Sequence, residues 1–232
     1  MITFFIPIRK NSKRVKNKNL RGIGRYKYGL TEIKISQLLN LRKMIKKDRY
    51  LKKKEFEFVI STDDERLFAF IKKFDWINLH KRPKNLATDN SLSKLTKIVP
   101  AICKGRYILW THVTSPLFGE KSYINFIKIF LKKKKNYLSA FSGNLIKSFI
   151  YNSKKKRWIS HDRKKMKWPR TQDLDNLWEI NNAAFISNRN VYIKKKDRLC
   201  ENPLPIKSNI EEALDIDDIE DFKKLKEIKF NV

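Results

Sequence analysis

The densest chemistry in the sequence lies in the stretch Pro7-Ile8-Arg9-Lys10-Asn11-Ser12-Lys13-Arg14-Val15-Lys16-Asn17-Lys18-Asn19, where cations and amide donors crowd together directly after an apolar run. A triphosphate fits such a loop. Its oxygens need several positive charges and N–H donors converging at once, and the charge that develops on a leaving pyrophosphate needs them again. This is not a Walker loop, since Gly-x-x-x-x-Gly-Lys-Ser/Thr does not occur. On composition alone a solvated basic surface loop is the simpler reading, because exposed charges contribute little by themselves. Cys103 and Cys200 stand without Cys or His neighbours at ligand spacing, so neither a disulfide framework nor a zinc site is supported, and a reducing, cytoplasmic setting fits.

The elements that must carry this loop follow from periodicity. Residues 2–8 form an apolar run of strand length that leads into it, as a buried strand ending in a functional loop. Gly22, Gly24 and Gly29 mark a turn region, after which Leu30, Ile33, Leu38, Leu39, Leu41 and Ile45 approximate the helical period. A second strand is predicted over 56–60, stopped by Ser61, Thr62 and Asp63, and a second helix carries Leu67, Phe68, Ile71 and Phe74. A third strand is expected at 76–80, then a helix with Leu92, Leu95, Val99 and Ile102 kinked by Pro100. A strand over 107–113 ends at Thr114-Ser115-Pro116, and Ile124, Ile127 and Leu131 supply another helical stripe. From Tyr137 the texture changes to apolar stretches between polar turns, read as a strand-rich excursion from the main sheet. Residues 183–187 are expected as a return strand and 213–216 as the last one, before a helix with Ile219, Phe222, Leu225 and Ile228 that Asp217 or Asp218 can cap. Repeated βα units imply an α/β fold with a mainly parallel, Rossmann-like sheet covered on both faces, and ligands then bind beyond the carboxyl ends of the strands.

The 232 residues hold 54 Lys and Arg against 24 Asp and Glu, a formal net charge of +30, yet 41% are hydrophobic and 12% aromatic. That is enough apolar material for one large domain over 1–232, and it argues against wholesale disorder. No apolar run is long enough for a signal segment or a membrane span. The lysines fall in scattered short runs (52–54, 132–135, 154–156 and 194–196) rather than on one helix face. Asn, Ile and Phe are abundant too, and all four residue types have AT-rich codons, so the charge does not by itself imply a nucleic-acid partner.

A family resemblance favours the phosphate reading of the first loop. It is similar to the amino-terminal signature of the CMP-sialic acid synthetase (acylneuraminate cytidylyltransferase) family, Pro-Ala-Arg-x-x-Ser-Lys-x-x-x-x-Lys-Asn, with Arg9, Ser12, Lys13, Lys18 and Asn19 in register. Val59-Ile60-Ser61-Thr62-Asp63-Asp64 looks like that family's second strand and turn, and Lys81-Arg82-Pro83-x-x-Leu86-Ala87-Thr88-Asp89 resembles its Arg-Pro-x-x-Leu-Ala-x-Asp loop. Thr114-Ser115-Pro116-Leu117, Pro169-Arg170-x-Gln172, Asn181 and Asp215-Ile216-Asp217 follow in the family's order, so the matches run from about Ile2 to Leu225.

The resemblance implies the fold of the nucleotide-diphospho-sugar transferases and an enzyme that joins CMP to a nonulosonic acid in cell-surface glycan biosynthesis. Arg9, Lys13 and Lys18 would hold the triphosphate of CTP, with Asn19, Arg82, Ser91 and Ser93 positioning its nucleoside and Ser12 a further nucleotide contact. Asp215 and Asp217 would hold Mg²⁺, which takes few protein ligands and keeps its waters. Because the two aspartates alternate, both face the site only if the chain bends there or one acts through water. Arg9, Lys18 and Asp217 are the expected catalytic set, and His112, Lys147, Arg170, Asn181 and Asp215 the expected contacts to the sugar acid. A segment at about 137–180 would be a dimerisation element, placing Lys147 and Arg170 in a partner's site. The sequence departs from the family at Arg14, at His112-Val113 (usually Gln-Pro), at Phe118 and at Asn182. Those departures bear on the sugar, leaving open legionaminic, pseudaminic and 3-deoxy-octulosonic acids. A basic nucleic-acid-binding protein without turnover is the alternative from another class.

Overall fold

Ile2, Phe4, Ile6 and Ile8 alternate with Thr3, Phe5 and Pro7, so a strand here offers apolar side chains to both faces, the pattern of a central strand covered on two sides. The computed structural model describes residues 1–10, 12, 14–88 and 91–228. In it β1 (Ile2–Ile8) is followed by α1 (Gly29–Lys47), β2 (Phe56–Thr62), α2 (Glu65–Ile71), β3 (Asn78–Lys81), α3 (Leu92–Ile102), β4 (Tyr107–Thr111) and α4 (Glu120–Lys133). Then come β5 (Ser139–Ile146), a small hairpin of β6 (Tyr151–Asn152) and β7 (Arg157–Trp158), β8 (Leu177–Asn188), α5 (Arg189–Lys195), β9 (Leu204–Lys207) and α6 (Ile219–Glu227). Seven strands form one sheet in the order β3-β2-β1-β4-β8-β5-β9. It is mainly parallel but mixed: β8 runs antiparallel to both β4 and β5, while the other four pairings are parallel.

The alternation in β1 sorts the core into two layers. Phe4, Ile6 and Ile8 pack with α1, α2, α4 and α6, whereas Phe5 faces a second layer with Leu95 and Val99 of α3, Trp110, Phe185 and Tyr192. Pro7, which cannot donate to a ladder, lies beyond the last residue of β1 that pairs with β4. Gly29 opens α1 at φ +50°, and a Cβ there would stand 2.0 Å from the Arg21 carbonyl oxygen, so only glycine lets the first loop fold back onto the helix start.

Three sequence expectations are corrected, and one element is new. The third strand is Asn78–Lys81 rather than 76–80, because Trp76 and Ile77 are drawn into the core instead of the ladder. β5 is an inner strand of the main sheet, so the segment that leaves the sheet starts near residue 147 and not at 137. Residues 213–216 are not a strand: a 3-10 turn at Ile210–Ala213 passes into extended chain outside any ladder. The last strand is instead β9, whose Pro205 is tolerated because β9 is an edge strand pairing only with β5. Finally, the short helix α5 was not foreseen; its seven residues are too few to show a helical period.

Candidate active site

Parallel strands β1, β2, β3 and β4 deliver their following loops to one end of the sheet, and a cavity of about 590 Å³ opens there, within the range of small-ligand sites. Its lining brings together Arg9, Ser12, Lys18 and Asn19 from the first loop, Arg82 and Ser91 from the β3–α3 connection, His112 from the end of β4, and Asp217. Sequence positions up to 208 residues apart (Arg9 to Asp217) thus meet at one site.

The first loop is held open by its own backbone contacts. Asn19 donates its side-chain amide to the Arg9 carbonyl at 3.0 Å, and Thr31 of α1 donates to the Asn19 carbonyl at 2.8 Å. Among the described residues the Asn19 Oδ1 atom is left buried without a partner. Lys18 Nζ donates to the Ile216 carbonyl and stands 3.7 Å from Asp217, which also pairs with Arg14 at 3.1 Å. Burial pulls the Lys18 ammonium below its usual pKa against the opposing pull of Asp217 and Asp215. Arg82 is 5% exposed; its guanidinium donates to Ser61 Oγ (3.1 Å) and the Ser61 carbonyl (2.5 Å). Burial first, with the like charge of Arg9 and against the raising pull of Asp63, brings Arg82 down to about 10, so it remains a cation at neutral pH.

The two aspartates part company. Asp218, not Asp217, caps α6, accepting from the Glu220 and Asp221 amides in a capping box. Asp217 is thereby free of capping and lines the cavity, its side chain 55% exposed. Asp215 is half-buried, and its carboxyl is held above the usual range by burial first, with Asp217 adding to it against hydrogen bonds from Thr114 and Asn182. One of its oxygens, Oδ1, is buried and has no partner among the described residues. Among the described residues no group of three or more His, Cys, Asp or Glu side chains could hold a metal. A pair of carboxylates, one with an orphaned oxygen, fits Mg²⁺ in particular, since that ion retains most of its water.

The remaining expected residues lie elsewhere. Ser91 lines the cavity with its hydroxyl donating to the Leu86 and Thr88 carbonyls, whereas Ser93 is exposed outside the lining. Asn181 is buried in a polar network between strands, bonded to Ser142 (2.6 Å) and Ser208 (2.5 Å). Lys147 turns back to the Gln172 and Leu174 carbonyls, and Arg170 pairs with Asp173 at 2.8 Å; neither lines the cavity within one chain. Lys13 lies outside the described residues, as does Asp89 of the Arg-Pro loop. Lys34 was missed: fully buried in α1, it donates to the Ser115 and Phe118 carbonyls and to Tyr123, pinning the loop after β4. The signal was there, for Lys34 interrupts the stripe Leu30, Leu38, Leu41 and Ile45 at helical spacing.

A mixed, mainly parallel sheet with a cation-lined cavity at the carboxyl ends of its strands is the layout of an α/β nucleotidyltransferase. The chain belongs to the cytidylyltransferase family, whose family model, described as Cytidylyltransferase, matches residues 3–230. It is accordingly a CTP-using nucleotidyltransferase. No curated protein sequence matches it significantly. Among solved structures, a CMP:2-keto-3-deoxy-manno-octonic acid synthetase complexed with CTP is similar at 12% identity and a TM-score of 0.62, over 97% of this chain and 96% of that one. The 4-diphosphocytidyl-2C-methyl-D-erythritol synthase of Anaerococcus prevotii is similar at 11% identity and a TM-score of 0.64, over the same shares of the two chains, 97% and 96%. A cytidylyltransferase from Leptospira borgpetersenii serovar Hardjo-bovis aligns at 14% identity and a TM-score of 0.55, over 97% of this chain and 84% of that one. At these identities the likeness is one of fold. No helix among the described residues is long and apolar enough to cross a membrane.

Proposed function

We propose that this cytidylyltransferase transfers CMP from CTP to a sugar acid of the sialic type, releasing pyrophosphate. The observation that carries the reading is the convergence of Arg9, Lys18 and Arg82 on one cavity with the Asp217 carboxylate at its side. Arg9 and Lys18, with Ser12 and Lys13 from the same loop, bind the triphosphate and meet the charge that builds on the departing pyrophosphate. Arg82, Ser91 and Asn19 orient the nucleoside, the buried Asn19 Oδ1 being an acceptor for a ligand N–H. The anomeric hydroxyl oxygen of the acid attacks the α-phosphorus in line; a new O–P bond forms as the P–O bond to pyrophosphate breaks, and the hydroxyl proton passes to solvent water. Asp215 and Asp217 would hold Mg²⁺, which when bound neutralises phosphate charge and lowers the pKa of the hydroxyl.

A homodimer belongs to the same reading, since Lys147 and Arg170 need a partner's cavity to meet a sugar carboxylate, and a cytoplasmic setting goes with it. The fold likeness to a synthetase acting on a 3-deoxy-octulosonic acid supports a second choice of acid for the same chemistry. Pyrophosphate release measured with CTP, Mg²⁺ and a panel of nonulosonic and octulosonic acids tests both. Release with one of these acids is expected, and silence with all of them would overturn the substrate assignment.

A further inference from the structure

Arg198 lies in the loop between α5 and β9, and none of the roles assigned above uses it. Its guanidinium carbon sits 3.8 Å from the Phe185 ring centroid and 5.6 Å from that of Trp110, both fully buried on the α3 and α5 side of the sheet. A cation taken out of water needs polar company; Tyr192 and Asp197 act on Arg198 electrostatically, and beside the two rings it meets the imidazole of His112, with Nη1 3.4 Å from Nε2. The same Nε2 accepts from the indole Nε1 of Trp110 at 3.1 Å. Guanidinium and indole N–H groups only donate, so Nε2 carries the lone pair and Nδ1 carries the proton. His112 lines the cavity, and that Nδ1–H is the group its ring can offer to a ligand.

We propose that Arg198 is a positioning residue for substrate selection: with Trp110 it holds His112 as a neutral Nδ1–H donor and backs the cavity wall with a buried positive charge, a pairing that gives the carboxylate of a sugar acid a further donor beside Lys147 and Arg170. The proposal rests on the substrate class assigned above. An imidazole held this way has an acceptor on its protein side and a donor on its ligand side, the same pattern as a Gln amide. The charges acting on His112 are all positive: Arg198 from the α5–β9 loop, Lys34 from α1, Lys18 from the first loop and Arg82 from beyond β3. Burial foremost, together with these cations, lowers His112 to about 3, so its ring stays neutral wherever an ordinary histidine titrates.

Imidazole ¹⁵N NMR of the full chain tests the placement without any substrate. The chain has three histidines, so His112→Gln assigns the resonance. The expected spectrum has a protonated Nδ1, a bare Nε2 and no titration between about pH 5 and 8. An Nε2–H tautomer, or a midpoint inside that range, overturns the proposal; should His112→Gln fail to fold, His80→Gln and His161→Gln assign the other two rings and leave the His112 signal by difference. Kinetics with CTP and either N-acetylneuraminate or 3-deoxy-manno-octulosonate, whichever is turned over, supply the second readout. Arg198→Gln is expected to raise KM for the acid at least about tenfold while CTP affinity by calorimetry stays within about twofold, and to cost less than about threefold in a His112→Gln background. An unchanged KM for the acid, or equal losses in both backgrounds, rejects a role exerted through His112. If neither acid is turned over, it is the substrate assignment that fails, and the NMR result judges the His112 geometry by itself.

Discussion

The two ends of the sheet treat their cations differently. On the β1–β4 side, parallel strands release their loops in the same direction, and Arg9, Lys18 and Arg82 reach one cavity. On the β5–β8 side, the chain reverses, and Lys147 and Arg170 emerge on a segment where carbonyls and Asp173 of that same segment satisfy them. The contrast shows that cations gather around a cavity where several loops leave one end of the sheet together, and stay outside it where a single segment folds back on them.

The comparison breaks most decisively at Asp217. Because Asp218 provides the cap, Asp217→Asn is expected to melt with the parent yet lose about two orders of magnitude in turnover, the scale of removing transition-state electrostatics. Retained Mg²⁺-dependent turnover in the folded variant would return Asp217 to a salt-bridge role with Arg14 and Lys18. Next, Lys18→Ala should weaken CTP binding by about 1.5–3 kcal/mol, the size of a hydrogen bond to a charged group; calorimetry showing parental affinity would remove Lys18 from the phosphate site. A separate effect, on stability rather than binding, is expected at Lys34, whose pKa burial lowers from 10.5 to about 7 against the raising pull of Glu120. The unfolded chain then binds more protons than the native one between those values, so stability should rise with pH across that window, with a slope approaching about 1.4 kcal/mol per pH unit. Lys34→Met should flatten the rise, and urea titrations from pH 7 to 10 that leave the slope unchanged would refute it. Asp218→Ala should lower the melting temperature by a few degrees, with turnover at parental levels. Smallest of all, Lys147→Ala and Arg170→Ala should leave CTP affinity within about twofold of the parent, since the nucleotide side is complete without them. Light scattering of an active parent belongs with this pair, because a fully active monomer would separate both residues from the site.

Much of this protein was legible in the residue order. β1, α1, α3 and α6 each declare themselves through a period that depends on near neighbours, and the cation-rich loop after β1 follows from where the apolar run stops. The choice of α6 cap was narrowed to Asp217 or Asp218 for the same reason, a cap being a contact over two or three residues.

What tertiary structure decided lies in contacts between distant residues, which no local period encodes. Whether β5 stood inside the sheet depended on β8 and β9 closing on it, and β9 hid behind two prolines that only an edge position makes harmless. Lys34 became a pin for the β4–α4 loop through oxygens 81 to 89 residues away, and Arg198 came to His112 across 86. The residue order placed cations and carboxylates at the ends of elements. Burial and packing then determined which of them line the cavity, because only a formed core can remove a charged side chain from water and fix what it meets.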